Sequence, residues 1–185
     1  MPSYPIDITM KAFRGKLVAY TSGAIAVMVL IAASVKVGDQ VYEDWLISKL
    51  TRGEEAARKE AANNLSQRGS PRAVKALLNA TATVISDESH PGFNLTFDAN
   101  HYYLVEAIAA SGKAAIPILL DYDTDGDKAH VFAARLTLLQ FGFDHGLRNL
   151  EAVFEALKSD MTYSPKVREA ASAELKKYAV PSVQQ

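Results

Sequence analysis

Cysteine is absent from all 185 residues. Disulfides, thiolate metal sites, iron–sulfur clusters and covalently attached c-type haem are therefore excluded. Its absence chooses no compartment. An excess of either charge is missing too. Twenty Lys and Arg stand against 21 Asp and Glu, a formal net charge of -1. The chain has no basic field for nucleic acid and no acidic field for cationic partners. Gly-rich phosphate loops, nucleophile elbows and paired-carboxylate motifs are lacking. The four histidines, His90, His101, His130 and His145, share no spacing suited to a metal or a catalytic motif. Such a chain reads as non-enzymatic.

Charge is also missing locally. Leu17 to Val35, LVAYTSGAIAVMVLIAASV, is a run of 19 uncharged residues bracketed by Lys16 and Lys36. At about 1.5 Å of rise per residue, a helix of that length crosses a hydrocarbon core of about 30 Å. The run is expected to be a transmembrane helix. A cleaved signal peptide, with Ala32 and Ser34 as small processing residues, is the competing reading. Lys11, Arg14 and Lys16 precede the span closely while only Lys36 follows as closely. That bias expects a cytoplasmic amino terminus and an extracytoplasmic, periplasmic domain. Within the span and its lead-in, Gly15, Ala19 and Gly23 fall four apart with Ser22 and Ala26 beside them, a small-residue stripe suited to a neighbouring membrane helix. The span carries no acid, base or histidine, so it offers neither a proton relay nor a side-chain haem ligand.

The rest divides by composition. Residues 1–16 form an amino-terminal segment in which Pro2 and Pro5 discourage early helix. Residues 36–53 read as an interfacial linker helix, with Tyr42 and Trp45 as anchors at the membrane–water boundary. Thr51-Arg-Gly-Glu54 has the form of a capping box that opens the next helix. Residues 54–180 form the soluble domain, and residues 181–185 are a tail after Pro181.

The domain repeats itself. Glu60-Ala-Ala-Asn-Asn-Leu65 leads to Gly69 and then Ala73 to Leu78. Glu106-Ala-Ile108 leads to Gly112 and then Ala115 to Leu120. Ala133-Ala-Arg-Leu-Thr-Leu138 leads to Gly142 and then Leu150, Val153 and Leu157. Ser164-Pro-Lys-Val-Arg-Glu-Ala-Ala171 opens a fourth unit. In each complete unit an apolar residue stands four before a glycine expected to end the helix in a left-handed cap. Ser70-Pro71 and Ser164-Pro165 mark helix starts, and Pro117 fits a first turn. This pattern resembles the HEAT-like repeat family, including the short variety associated with phycobilin lyases. Ser164-Pro-Lys-Val-Arg168-Glu-Ala-Ala is similar to its opening motif, and Arg58 and Arg168 occupy its arginine position. Val131 replaces that arginine in the third unit. The resemblance covers residues 54–178 and implies a short α-solenoid of helix pairs that presents a surface to a partner; with the membrane helix ahead of it, the chain is expected to be all-α.

Two interruptions are candidate sites. Ser86 to Phe97 alternates Phe93, Leu95 and Phe97 in a long link, a candidate partner-binding tip. Asp121, Asp123 and Asp125, followed by Gly126, reproduce the start of a calcium loop. Phe132 stands where the bidentate glutamate belongs and Lys128 where an apolar residue is usual. An acidic inter-helix turn, with Asp127 capping the next helix, explains the same residues without a cofactor. The expected function is a scaffold or accessory subunit bound to integral-membrane subunits and the lipid bilayer, in an assembly such as a respiratory or photosynthetic complex. A membrane-bound assembly factor is the alternative, and a lyase-type tetrapyrrole-handling protein is a third reading.

Overall fold

The computed structural model describes residues 35–88, 99–125 and 127–178. The span over 17–34 with its stripe (Gly15, Ala19, Ser22, Gly23, Ala26), the tip residues Phe93, Leu95 and Phe97, and the tail 181–185 all lie outside the described residues. The chain divides into two units, Met1–Asp44 and Trp45–Gln185. Of the first, residues 35–44 are helical and carry exposed Val35, Val37, Val41 and Tyr42. No single helix among the described residues is long and apolar enough to cross a membrane.

The described residues are all-helical, with no strand. Eight α-helices run in order: α1 (35–52), α2 (Glu55–Arg68), α3 (Pro71–Glu88), α4 (Tyr102–Ala110), α5 (Ile116–Asp125), α6 (Lys128–Asp144), α7 (Leu150–Ser159) and α8 (Pro165–Tyr178). Short 3-10 turns precede α4 and α5.

Several boundaries follow local chemistry. Gly69 takes φ +56°, and its N–H donates to the carbonyls of Leu65 and Ser66, closing α2 as expected of a left-handed cap. The Ser70 hydroxyl accepts from Ala73 N at 3.0 Å and opens α3. Asp127 accepts from His130 N at 3.0 Å and opens α6.

Two boundaries differ from expectation. Thr51 does not start a capping box. It sits in the last turn of α1, where its hydroxyl donates back to the carbonyls of Ile47 and Ser48, each 3.1 Å away. Glu54, the residue before α2, makes no side-chain cap bond. Gly142 does not end its helix either. The helix continues to Asp144, and Gly146 takes the left-handed position at φ +77°. Leu147 N donates to Gly142 O and Gly146 N to Phe143 O, the two bonds of a Schellman motif. What Gly142 supplies is space: a Cβ there would come within 2.4 Å of Val153 Cγ2 on α7.

The core belongs to the second unit and begins inside the segment read as a linker. Leu46 and Leu50 of α1 are buried in it, while Trp45 stays half exposed with the Lys49 ammonium 4.0 Å from its ring centroid. Helix α3 buries Ala73, Val74, Leu77, Leu78, Ala82 and Ile85, a stripe at helical spacing. Its buried Thr81 hydroxyl is satisfied by the Leu77 carbonyl. Helix α6 occupies the middle, packed against α3, α4, α5 and α7. Along it Ala129, Ala133, Ala134, Thr137, Leu138 and Gly142 are buried.

Some contacts follow stacked helix pairs: α2 meets α4, α4 meets α6, and α7 lies along α8. Others do not. The α4 and α5 segments, Ala99–Ala110 and Gly112–Asp123, bend by 93° instead of folding back as a hairpin. With that elbow, α3 reaches α6 directly.

The packing orders the glycines. Gly142→Ala should cost about 1–3 kcal/mol because its Cβ overlaps a β-branched side chain. Gly146→Ala should cost about 1 kcal/mol through its backbone angle alone. Gly38→Ala, in open helix with nothing near its Cβ, should be neutral or stabilising by up to about 1 kcal/mol. Urea midpoints of the three variants check that order.

Candidate functional site

The acidic run does not form a loop. Residues 121–125 are the last turn and a half of α5, and Asp121 and Asp123, two apart on a helix, point to different sides. Asp121 Oδ1 accepts from Lys166 Nζ of α8 at 3.2 Å. Asp123 turns inward, its side chain wholly unexposed, and accepts from Arg135 Nε of α6 at 2.5 Å. The side chain of Asp125 lies outside the described set. The expected inter-helix turn is corrected accordingly, and the fold does not bring Asp121 and Asp123 together as cation ligands.

Arg135 gathers a second acid that sequence reasoning left unmarked. Glu174 of α8, only 1% exposed, brings Oε2 within 3.7 Å of the guanidinium and takes a hydrogen bond from Lys177 on its other oxygen. The Asp123 bond holds the Arg135 guanidinium above its ordinary value against the opposing effect of desolvation. Asp123 Oδ2 and Glu174 Oε2 have no hydrogen-bond donor. The cluster joins α5, α6 and α8.

A neighbouring set joins α3, α5 and α6. His130 stacks on Tyr122, centroids 5.2 Å apart at 20°. Its Nδ1 lies 2.9 Å from Asp127 Oδ1 and its Nε2 lies 3.1 Å from Asn79 Oδ1. The backbone and side-chain bonds from His130 hold the Asp127 carboxyl below the usual carboxylate range.

Between α6 and α7 opens a groove of about 320 Å³. Phe141, Leu147, Val153 and Leu157 supply apolar lining; Lys113, His145, Asp160 and Tyr163 supply the polar part. Gly142 lets α7 approach, and the Schellman turn swings Leu147 into the lining. Lys113, from the turn before α5, donates to Thr162 Oγ1 at 2.5 Å and lies 3.4 Å from Asp160 Oδ2 and 5.0 Å from the Tyr163 ring centroid. The Thr162 hydroxyl and amide, with Lys113 beyond them, hold the Asp160 carboxyl below the usual range. Burial pushes the Tyr163 phenol up, and the charge of Asp160 adds to the shift. His145 lies against Phe141, centroids 4.3 Å apart. The ammonium is met by a carboxylate and a hydroxyl, so the groove offers shape and an apolar lining more than reactivity. None of its polar residues forms a sequence motif. Lys113 and Asp160 are 47 positions apart, and the one legible signal was Gly142, read for a different purpose.

Comparison with protein-family models, curated proteins and solved structures gives no match to this chain.

Two measurements test these arrangements. Arg135→Met should lose about 3 kcal/mol, because it leaves the buried Asp123 carboxylate without its partner, and Asp123→Asn should lose less, because the guanidinium it leaves is 39% exposed and keeps Glu174. The double variant should lose less than the sum by about 1–3 kcal/mol, read from a denaturation cycle. For Asp160 the folded value is depressed, so its contribution is present above the unfolded value near about pH 4 and fades as pH falls through the lower folded value. The difference in melting temperature between the wild type and Asp160→Asn should therefore be largest near neutrality and close in acid.

Proposed function

We propose that this chain is a non-catalytic, membrane-anchored helical scaffold that holds other membrane-protein subunits together. The observation that carries the reading is continuity of apolar character. The uncharged run Leu17–Val35 passes into helical residues whose exposed side chains include Val35, Val37, Val41 and Tyr42. Exposed valines and a tyrosine next to a span-length apolar run suit the boundary between hydrocarbon and water. The basic residues before the run favour a cytoplasmic amino terminus, which leaves the helical unit on the opposite side. Gly15, Ala19, Ser22, Gly23 and Ala26 suit close approach by a partner's membrane helix.

The helical unit supplies the second contact. The α2–α4–α6 series and the α7–α8 pair support a HEAT-like reading, with the α4–α5 elbow as its departure from regular stacking. The α6–α7 groove has the size and apolar lining to receive a side chain of a partner.

Alkaline carbonate extraction of membranes from expressing cells tests the anchor. The full chain should stay in the pellet, and deletion of 17–34 should release a folded helical unit. Recovery of the full chain in the carbonate supernatant would refute it. Gly23→Leu should then retain the chain in the membrane but release its crosslinked partner.

A further inference from the structure

A second groove, of about 300 Å³, is lined from α1, α2, α3 and α4 and carries a charge that the scaffold reading does not use. Leu50, Ala80, Val84 and Leu104 form its apolar part; Thr51, Arg58, Thr83 and Tyr103 form its polar part. The threonine protons are committed. Thr51 donates to Ile47 and Ser48 carbonyls, and Thr83 donates to Asn79 O at 2.9 Å.

Arg58 is different. Its Nε is buried and meets no acceptor. Glu55, three residues earlier on the same helix, is exposed and bonded to Lys59 at 2.6 Å. Lys59 lies 5.6 Å from the Tyr103 ring centroid, so a second cation stands at the same aromatic residue. Burial pushes the Tyr103 phenol up while the charges of Arg58 and Lys59 pull it down. A buried N–H donor without an acceptor has given up its bond to water and gained none in return. An acceptor brought by a ligand would recover that loss.

We propose that this groove binds a free monocarboxylate with a short apolar chain, its two oxygens taking the Arg58 fork and its chain lying against Leu50, Val84 and Leu104. The guanidinium fork matches a carboxylate in plane and spacing. Phosphate fits the same fork, but its second charge would sit against aliphatic walls with only one unpaired cation in the lining. The volume is at the small end of ligand sites, about 300 Å³ upward, which sets a chain of a few carbons. The assignment holds whether or not the chain is membrane-anchored.

Titration of the full chain with hexanoate, following the Arg58 Nε–H in a ¹⁵N-arginine spectrum, tests it. The resonance is assigned by its loss in Arg58→Lys. A saturable shift is expected with hexanoate, with hexanol and inorganic phosphate at least about tenfold weaker. Calorimetry of Arg58→Gln should show hexanoate binding reduced by about tenfold or more. Its melting curve, compared with the wild type, reports whether that variant is folded. If it does not fold, the wild-type titration alone decides. Absence of a saturable shift, phosphate binding as tight as hexanoate, or undiminished binding by folded Arg58→Gln would each overturn the assignment.

Discussion

Helix α6 packs closely against α3, α4, α5 and α7, and close contact on that many sides requires small side chains at the crossings. Ala133 and Ala134 are wholly buried, Thr137 returns its hydroxyl to the Ala133 carbonyl, and Gly142 admits Val153. Larger residues at these positions would separate neighbours that interiors hold at crystal-like density. The other helices are arranged around this constraint. Helices α3, α4, α5 and α7 each spend part of an apolar face on α6, α2 joins through α3 and α4, and α8 packs on α5 and α7 while reaching α6 through Glu174 and Arg135.

Burial of the acids Asp123 and Glu174 does a different kind of work. Apolar contacts tolerate sliding, whereas a guanidinium set between two carboxylates from different helices has few acceptable positions. Arg135 receives one acid from α5 and one from α8, and its side chain is still 39% exposed. Solvent at the guanidinium lowers its desolvation cost, while the inward carboxylates depend on it. The cluster is thus better understood as fixing where α8 lies than as a large net source of stability.

The local part of the fold was legible in the sequence. Helical periodicity, the left-handed cap at Gly69, and the Ser70 and Asp127 caps depend on neighbours within about four residues, and all were read correctly. Gly142 and Thr51 were misread because each residue type has two uses. Glycine can turn a chain or make room for a neighbour, and threonine can cap a helix or bond back within one. The acidic run at Asp121–Asp125 was misread as a turn because its partners, Arg135 and Lys166, lie 12 and 45 positions away. Both grooves were illegible for the same reason: their polar residues meet only once the helices are packed.

The elbow between α4 and α5 also bears on how the chain is made. By letting α3 reach α6, it joins residues as far apart as Asn79 and His130, separated by 51 positions. The buried stripe of α3 therefore has no complete cover until α6 has left the ribosome. At about 5–20 residues per second, that interval lasts a few seconds. During synthesis the amino-terminal helices therefore present an apolar face that only the later arrival of α6 covers.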